Sequence, residues 1–373
     1  MKITMPQGEQ AFLALRHDWD LLWQESRDAT HFQLWDWQYL YWKHVLPHSN
    51  PEFVTLRDSD GKLLAVILTL RARSAETGLP VTEFAGGLRS DHNMFLVAPG
   101  LPASAGTDLL GAFMRRNRRM APSIVLRNIP AHSWTAGLLA KELPPSRFGH
   151  GLAEVTHDDS YGLPLPATVE EYVVGLSPRS RRHFGYERRR LAREAEVKFL
   201  VRQGTEDFDK TISDIEKIDK NRWGSESIYS RSERGSFERS LIRALAEKDL
   251  LLTFLLYVNG NPASFAWGAV VRGVMEISRI AYDPTFPAQL SVGKVANFYT
   301  VEECIKRGYV EFNLGRGQEV YKSWLGAKPN KLVTYRIYRS RLDRNIQLWA
   351  TKLGKAVHKH KWIRDFYRKY VQG

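Results

Sequence analysis

The order of elements across residues 251–326 constrains the fold more than any other part of the chain. An apolar run from Leu251 ends at Asn259-Gly260, a pair suited to the left-handed positions of a tight hairpin turn, and a second apolar run follows it. A third run, residues 274–281, leads into Tyr282-Asp283-Pro284. Gln289-Leu290-Ser291-Val292-Gly293-Lys294 then opens a helix in which Val292, Val295, Phe298, Tyr299 and Ile305 recur at helical spacing, and Gly308 ends it. A strand over 309–314 starts one residue later. Strand, helix and strand in this order build a parallel or mixed sheet. The glycine-containing loop also delivers backbone amides to a helix N-terminus, a place that binds phosphates.

The first half repeats part of this grammar. Residues 52–56 and 63–70 are apolar runs joined by Asp58-Ser59-Asp60-Gly61, and both hairpins carry an early alanine in the second strand, Ala65 and Ala263. Further elements are expected as a strand over 81–84, a helix over 105–120, a strand over 123–127 and a short helix over 134–143. Aromatic residues from Trp19 to Trp42 supply a core. After an extended stretch at Leu163-Pro164-Leu165-Pro166, Thr168-Val169-Glu170-Glu171 has the form of a helix-opening capping box. A basic helix over 178–195, a strand over 197–202 and helices over 206–220 and 234–247 follow. These elements predict an α/β (α+β) chain of two tandem units, each a mixed, mostly antiparallel sheet flanked by helices. The expected divisions are residues 1–165, residues 166–340 and a C-terminal amphipathic helix over 341–373.

A chain of 373 residues can bury two cores of this size. Its single cysteine, Cys304, rules out an intramolecular disulfide framework and a Cys-based zinc cluster, and fits a reducing, cytoplasmic setting. Residues 1–25 lack the apolar core of a signal peptide, and no run reaches the roughly 18 apolar residues of a membrane span. The net charge of +13 is concentrated rather than spread. Residues 178–202 hold nine Lys/Arg against three Glu, residues 339–373 hold ten against two Asp, and the remainder is close to neutral. Such a distribution speaks against a broad nucleic-acid surface. In the basic helix, Arg181, Arg182, Arg188, Arg189 and Arg193 cover too much of the circumference for one stripe, so that helix is either solvated or binds an anion. In the tail, Ile346, Trp349, Leu353, Ala356, His360, Ile363, Tyr367 and Tyr370 recur every three or four residues among the cations. This basic amphipathic helix either docks on its own domain or lies on an anionic membrane surface, at the inner face of the membrane.

Several short segments carry a likeness to a known family. They are Thr30-His31-Phe32-Gln33-Leu34-Trp35 with Trp42, Gly86-Gly87 with Ser90-Asp91-His92, and Leu176-Ser177-Pro178 before the arginine-rich helix. In the second half they are Tyr282-Asp283-Pro284, Ser291-Val292-Gly293 and Gly317-Gln318-Glu319-Val320-Tyr321-Lys322-Ser323-Trp324. In this order the chain resembles the GNAT acyltransferase superfamily. Within it, the chain is similar to the tandem-domain branch that includes cellulose-biosynthesis acetyltransferase-like (CelD/BcsL-like) proteins, and more distantly to Fem-type peptidyltransferases. The resemblance implies that the second half binds acetyl-CoA or another acyl-CoA between two splayed strands, at Ile280, Ala281, Tyr282 and the loop from Gln289 to Lys294. The loop departs from the superfamily's usual pyrophosphate motif, because Gln289 precedes Gly293 by four positions and Lys294 follows it. The implied acceptor is a small molecule or glycan, specifically a saccharide or exopolysaccharide precursor. Fem-type relatives take an aminoacyl group from tRNA instead.

Acyl transfer needs a phosphate cradle, a base for the nucleophile and an acid for the departing thiolate. The amides of residues 290–294 with Lys294 could supply the cradle; alternatively Ser291 simply caps the helix. A Tyr321 phenol could protonate the thiolate, or it pairs with Trp324 to close the domain. Glu276, inside the strand 274–281, is either the base or a solvent-facing carboxylate, and Asp283 is read as a turn-former. Asp91 and His92 are candidates for acceptor binding, as are Arg316 and Lys322; a plain turn is the competing reading of the first pair. No Gly-x-Ser-x-Gly, Walker, His-Glu-x-x-His or paired-Cys motif occurs, so no metal is expected. An acyl-CoA-dependent N- or O-acyltransferase is therefore expected. An aminoacyl-tRNA-dependent transferase and a non-catalytic binding module on the same scaffold are the alternatives.

Overall fold

The computed structural model describes residues 1–74, 77–143 and 153–359. Its strands, in chain order, are β1 (Lys2–Thr4), β2 (Glu52–Arg57), β3 (Leu63–Arg73), β4 (Pro80–Phe84), β5 (Leu96–Val97), β6 (Ser123–Pro130) and β7 (Ala153–Pro164). They continue with β8 (Val197–Gln203), β9 (Leu251–Val258), β10 (Asn261–Val271), β11 (Val274–Tyr282), β12 (Glu311–Arg316) and β13 (Lys328–Tyr338). Helices lie between them, giving the mixed α/β fold expected from the sequence. The chain forms two compact units that cut across its own order. One consists of Met1–Trp35, Leu46–His157 and the chain from Leu332; the other consists of Asp36–Val45 and Asp158–Lys331.

In the first unit the strands run β1-β2-β3-β4-β6-β13, with β5 paired to β3. The first three neighbouring pairs are antiparallel, β4 and β6 are parallel, and β6 and β13 are antiparallel. The helix Ala103–Met120 returns the chain from β5 to β6 and buries Leu109, Leu110 and Phe113 in the sheet's core. A second cluster forms around Phe12, whose ring meets Trp19, Trp35 and Phe53 at 5.1 to 6.0 Å. The indoles of Trp19 and Trp35 are buried with their N–H groups satisfied by the carbonyls of Gln33 and Phe12. Burying these rings removes a large apolar area from water, which explains the aromatic density of the N-terminal region.

The second unit runs β8-β9-β10-β11-β12-β7. Its first three pairs are antiparallel, β11 and β12 are parallel, and β12 and β7 are antiparallel. The β9–β10 turn has Asn259 at φ 50° and Gly260 at φ 73°, the two left-handed positions that the Asn-Gly pair supplies. The helix Val292–Lys306 crosses from β11 to β12 and buries Val295, Val301, Cys304 and Ile305. The helix Trp35–Val45, although early in sequence, belongs here from Asp36 onward. Trp37 stacks on Tyr41 at 5.4 Å, and both rings meet Phe237 edge-on.

Two adjustments in β11 shape the site. Pairing with β12 stops after Val274↔Glu311, Met275↔Phe312 and Glu276↔Asn313, so the rest of β11 leaves its neighbour. On the other side, the β10–β11 register slips between Trp267 and Gly268, which gives β11 an extra residue at Ser278 and bends it. Gly268 makes that bend feasible: a Cβ there would stand 1.9 Å from the Glu276 carbonyl oxygen. The end of β11 therefore diverges from β12 and presents an open edge.

Candidate active site

The diverging end of β11 borders a cavity of about 700 Å³ contained in the second unit. Ser264 of β10 and Ile280, Ala281, Tyr282 and Asp283 of β11 form one wall. Ser291, Val292, Gly293, Lys294 and Asn297 form another, Arg222 and Trp223 a third, and Glu319, Tyr321 and Trp324 a fourth, with Phe286 and its neighbouring prolines in the connecting loop. Three of the sequence-selected residues, Ile280, Ala281 and Tyr282, thus meet Ser291, Val292, Gly293, Lys294 and Tyr321 around one space. Leu290 is buried in the adjacent core instead, and Gln289, in the short turn before it, does not line the cavity.

The loop arrives at the helix in an unusual way. Ser291 sits at φ 50°, in the left-handed region, and its side chain makes no cap hydrogen bond. The amides of Lys294 and Val295 both turn back to the Ser291 carbonyl, at 2.9 and 3.1 Å. The amides of Val292 and Gly293 have no backbone acceptor among the described residues. Two donors at the positive end of a helix of 15 residues therefore face the cavity. Gly293 is held to glycine by contact, since a Cβ would lie 2.7 Å from Cδ1 of Tyr282.

The charges around the cavity divide into committed anions and available cations. Asp283 is buried and accepts from Asn221 Nδ2 at 2.6 Å, from the Thr285 amide at 2.9 Å and from Thr285 Oγ1 at 2.7 Å. Glu319 is paired with Lys322 at 2.9 Å. Burial works to raise the Glu319 carboxyl pKa, but the Lys322 contact and a backbone hydrogen bond together hold the group below its ordinary value. Arg222 lies over the Tyr282 ring at 4.3 Å, and Lys294 lies over the Trp324 ring at 5.1 Å while its Nζ meets His183 Nε2 at 3.2 Å. Neither cation has a carboxylate partner among the described residues. Facing two unpaired amides, they give the cavity the electrostatics of an anion site.

Tyr321, on the short helix Val320–Trp324, is the acid-capable group of this space. Burial, with Glu319 adding, pushes its phenol well above the usual value, so it stays protonated at neutral pH and can donate. Trp324 lines the same cavity rather than sealing Tyr321 away from it.

The remaining sequence-selected residues lie elsewhere. Glu276 is buried at the point where β11 and β12 part and does not line the cavity. Lys322 is 2% exposed, and its Nζ donates to the carbonyls of Gly315, Arg316 and Gly317 as well as to Glu319, so it ties the loop after β12 together. Arg316 ends β12 outside the cavity lining. Asp91 and His92 belong to the first unit, where the His92 carbonyl accepts from Gln33 Nε2 and Ser90 Oγ, and its ring meets Phe32 edge-on. Sequence reasoning missed Arg222, Trp223, Phe286 and Asn297, and it noted Glu319 and Trp324 in a family-like segment without giving them a place in the site. Arg222-Trp223-Gly224 closing a helix, with Trp223 48% exposed, is a local signal that could have found the first two.

The basic helix Pro178–Glu194 spends much of its charge internally. Arg181 donates to the carbonyls of Val174 and Leu176, Arg188 pairs with Glu302 at 2.9 Å, and Arg190 pairs with Glu194. Its apolar face buries Phe184, stacked on Phe298 at 3.6 Å. Near the cavity, His183 stands between Lys294 and Glu187, 3.6 Å from the latter's Oε1.

Residues 178–323 match the family model described as acetyltransferase (GNAT) domain. Over those residues the chain is similar to an acetyltransferase (GNAT) domain. The match ends within the helix that bears Tyr321, so it spans the cavity's loop, strand and acid-capable group. No curated protein matches the chain in sequence. Among solved structures, FemX aligns with a TM-score of 0.58 at 12% identity, covering 89% of this chain and 97% of that one. L-PGS from Bacillus licheniformis aligns with a TM-score of 0.55 at 11% identity, covering 92% and 97%. The C-terminal domain of a putative lysylphosphatidylglycerol synthetase from Agrobacterium fabrum aligns with a TM-score of 0.52 at 12% identity, covering 80% and 87%. At these identities the likenesses establish the fold.

Proposed function

We propose that the second unit is an acyl-CoA-dependent N- or O-acyltransferase with acetyl-CoA as the first donor to test, and that the first unit is a degenerate copy of the same domain. The observation that carries this reading is the cavity itself: two unpaired helix-start amides, two cations without carboxylate partners and a protonated phenol converge beside a diverging strand. The amides of Val292 and Gly293, with Lys294, would hold the donor's pyrophosphate. The free edge of Ile280 to Tyr282 would align its extended arm by backbone hydrogen bonds. A bound acyl-CoA would supply a thioester carbonyl as electrophile. The acceptor's amine or hydroxyl attacks that carbon, the C–S bond breaks, and Tyr321 gives its proton to the departing sulfur. Because Glu276 stands away from the cavity lining, its part as base would run through an intervening water. Cys304 is buried with its thiol pushed well above the usual value by burial, which supports direct attack without a covalent enzyme intermediate. The acceptor class, a saccharide amine or hydroxyl, follows from the likeness to the exopolysaccharide branch.

Isothermal titration with acetyl-CoA and with CoA tests the reading. Micromolar to sub-millimolar binding that Lys294→Ala weakens would support it; no heat at millimolar CoA would remove it. A second reading draws on the Fem-type resemblance and the likeness to FemX: an aminoacyl ester of tRNA as donor. It would show as tRNA binding with a steep salt dependence. The internal commitments of Arg181, Arg188 and Arg190 weigh against the basic helix as an RNA surface.

A further inference from the structure

The helix Arg341–Lys359 is packed the wrong way round for a docked amphipathic helix. Asp343 and Gln347, one turn apart, are buried, at 9% and 2% exposure. Gln347 accepts from Thr77 Oγ1 at 3.0 Å and donates to Ser123 Oγ at 3.4 Å, while Asp343 is held by Ser340 and Arg339. A separate, outward face carries Leu342, Ile346 and Trp349, spaced four and three residues apart and 69%, 45% and 66% exposed. A helix that merely closes its domain buries such a stripe. Here polar groups make the attachment and the apolar stripe is left outward.

We propose that this stripe is a docking surface for an anionic phospholipid bilayer, on which the helix lies parallel to the membrane plane. The occupant follows from charge complementarity. Arg341 and Lys352, eleven residues apart, fall on the same flank of the stripe, both are exposed, and neither is ion-paired among the described residues. Residues 339–373 hold ten Lys/Arg against two Asp. A tryptophan beside aliphatic side chains, with cations at its flank, matches the apolar boundary and the anionic headgroups of such a surface. No described helix is long and apolar enough to cross a membrane, so the contact is peripheral. Of the tail positions singled out in the sequence, His360, Ile363, Tyr367 and Tyr370 lie outside the described residues. The proposal stands on Leu342, Ile346 and Trp349, and is independent of which donor the cavity takes.

Co-sedimentation of the full chain with vesicles tests it, using phosphatidylcholine alone and phosphatidylcholine mixed with phosphatidylglycerol. The expected result is sedimentation with the anionic vesicles only, weakened by salt. The double variant Ile346→Ser/Trp349→Ser should lower partitioning at least about tenfold. Both changed positions are exposed, so its thermal melt should match the parent's. Arg341→Gln/Lys352→Gln should lose the preference for anionic lipid while keeping the melt. Failure of the parent chain to sediment with anionic vesicles, as when its own tail covers the stripe, would overturn the proposal. So would a serine variant that sediments like the parent. A parent that is dimeric in solution and becomes monomeric in the serine variant would assign the stripe to a second copy instead, and overturn it equally.

Discussion

The two units share one strand grammar and differ most at the junction where the parallel pair begins. Along its main order each has three antiparallel pairings, one parallel pairing and a final antiparallel strand, β13 for the first unit and β7 for the second, and the first adds β5 on β3. In the first unit, β3 and β4 pair without a register slip from Thr69↔Phe84 to Arg73↔Pro80, and β4 ends at Phe84, one residue past its last partner on β6. In the second, β11 slips against β10 and runs six residues beyond its last partner on β12. Among the described residues, only the second therefore has a strand that runs well past its parallel neighbour, leaving that side of it free. Glycines near the start of the two crossover helices tell the same story. Gly106 lies under the Trp134 ring, so its missing side chain is filled by packing, whereas Gly293 lies against Tyr282 on the cavity wall. One architecture thus yields a packed core or an open cavity according to where a strand leaves its neighbour.

The largest expected effect comes from closing that difference. Gly268→Ala puts a methyl group 1.9 Å from the Glu276 carbonyl, a backbone atom that cannot turn aside. Overpacking of this kind costs about 3 kcal/mol or more, or roughly 6 to 12 °C in melting temperature, and donor binding should be lost with the bend. β3, the matching strand of the first unit, has no glycine at all and needs none. A Gly268→Ala chain that melts within 2 °C of the parent, on the same scale, and still binds donor would show that the bend does not depend on this residue.

Much of this was legible beforehand, and the exceptions have physical causes. Apolar runs and the Asn-Gly turn marked β9 to β11, and helical spacing marked Val292–Lys306, because each pattern is local. β7 and β13 were not read as strands. β7 breaks its alternation at His157-Asp158-Asp159 and ends at Pro164, and β13 opens with Lys328-Pro329-Asn330, so neither sustains an apolar alternation along its length. Their pairing depends on partners far away in sequence. The cavity was legible where backbone chemistry defined it, at Ser291 to Lys294, and at Tyr321. Arg222, Trp223 and Phe286 reach it from a helix end and a loop whose position only the folded sheet fixes. Lys322 illustrates the opposite error: a cation beside a candidate acid suggests an anion contact, but its burial among three carbonyls is invisible in sequence.

Tyr321→Phe should have the next largest effect on turnover, a fall of about a hundredfold with donor affinity unchanged, as expected for loss of a general acid. Turnover equal to the parent's would remove the phenol from the chemistry. The pH dependence has a definite sign. An unfolded tyrosine ionises near pH 10, and Tyr321 ionises above that in the folded unit. Its stabilising effect is therefore complete below about pH 10 and is lost as pH rises through the folded value. Tyr321→Phe should lessen the fall in melting temperature between about pH 10 and 12 while leaving melting at pH 7 little changed; a steeper alkaline loss in the variant would contradict the burial effect.

Lys294→Ala should weaken donor binding about ten- to a hundredfold, the range for losing one charge-assisted contact. The counterpart helix Ala103–Met120 starts with Ala103-Ser104-Ala105 and offers no cation there, so Ser104→Ala should leave donor affinity unchanged. Equal losses in the two variants would erase the distinction between the units.

The smallest effect tests whether the first unit contributes anything to donor binding. Asp91 follows the Gly86-Gly87 turn in that unit, and neither it nor His92 is among the cavity-lining residues. Asp91→Asn preserves shape and removes one charge, so it separates electrostatics from folding. Donor affinity should change by less than about twofold, which is below 0.5 kcal/mol. If instead the acceptor's KM rises severalfold while donor affinity holds, the first unit takes part through the acceptor alone. A matching loss of donor affinity would mean that its charge is felt at the pyrophosphate site. In that case the divergence of β11 from β12 would not be sufficient to make one copy of the fold the binding copy.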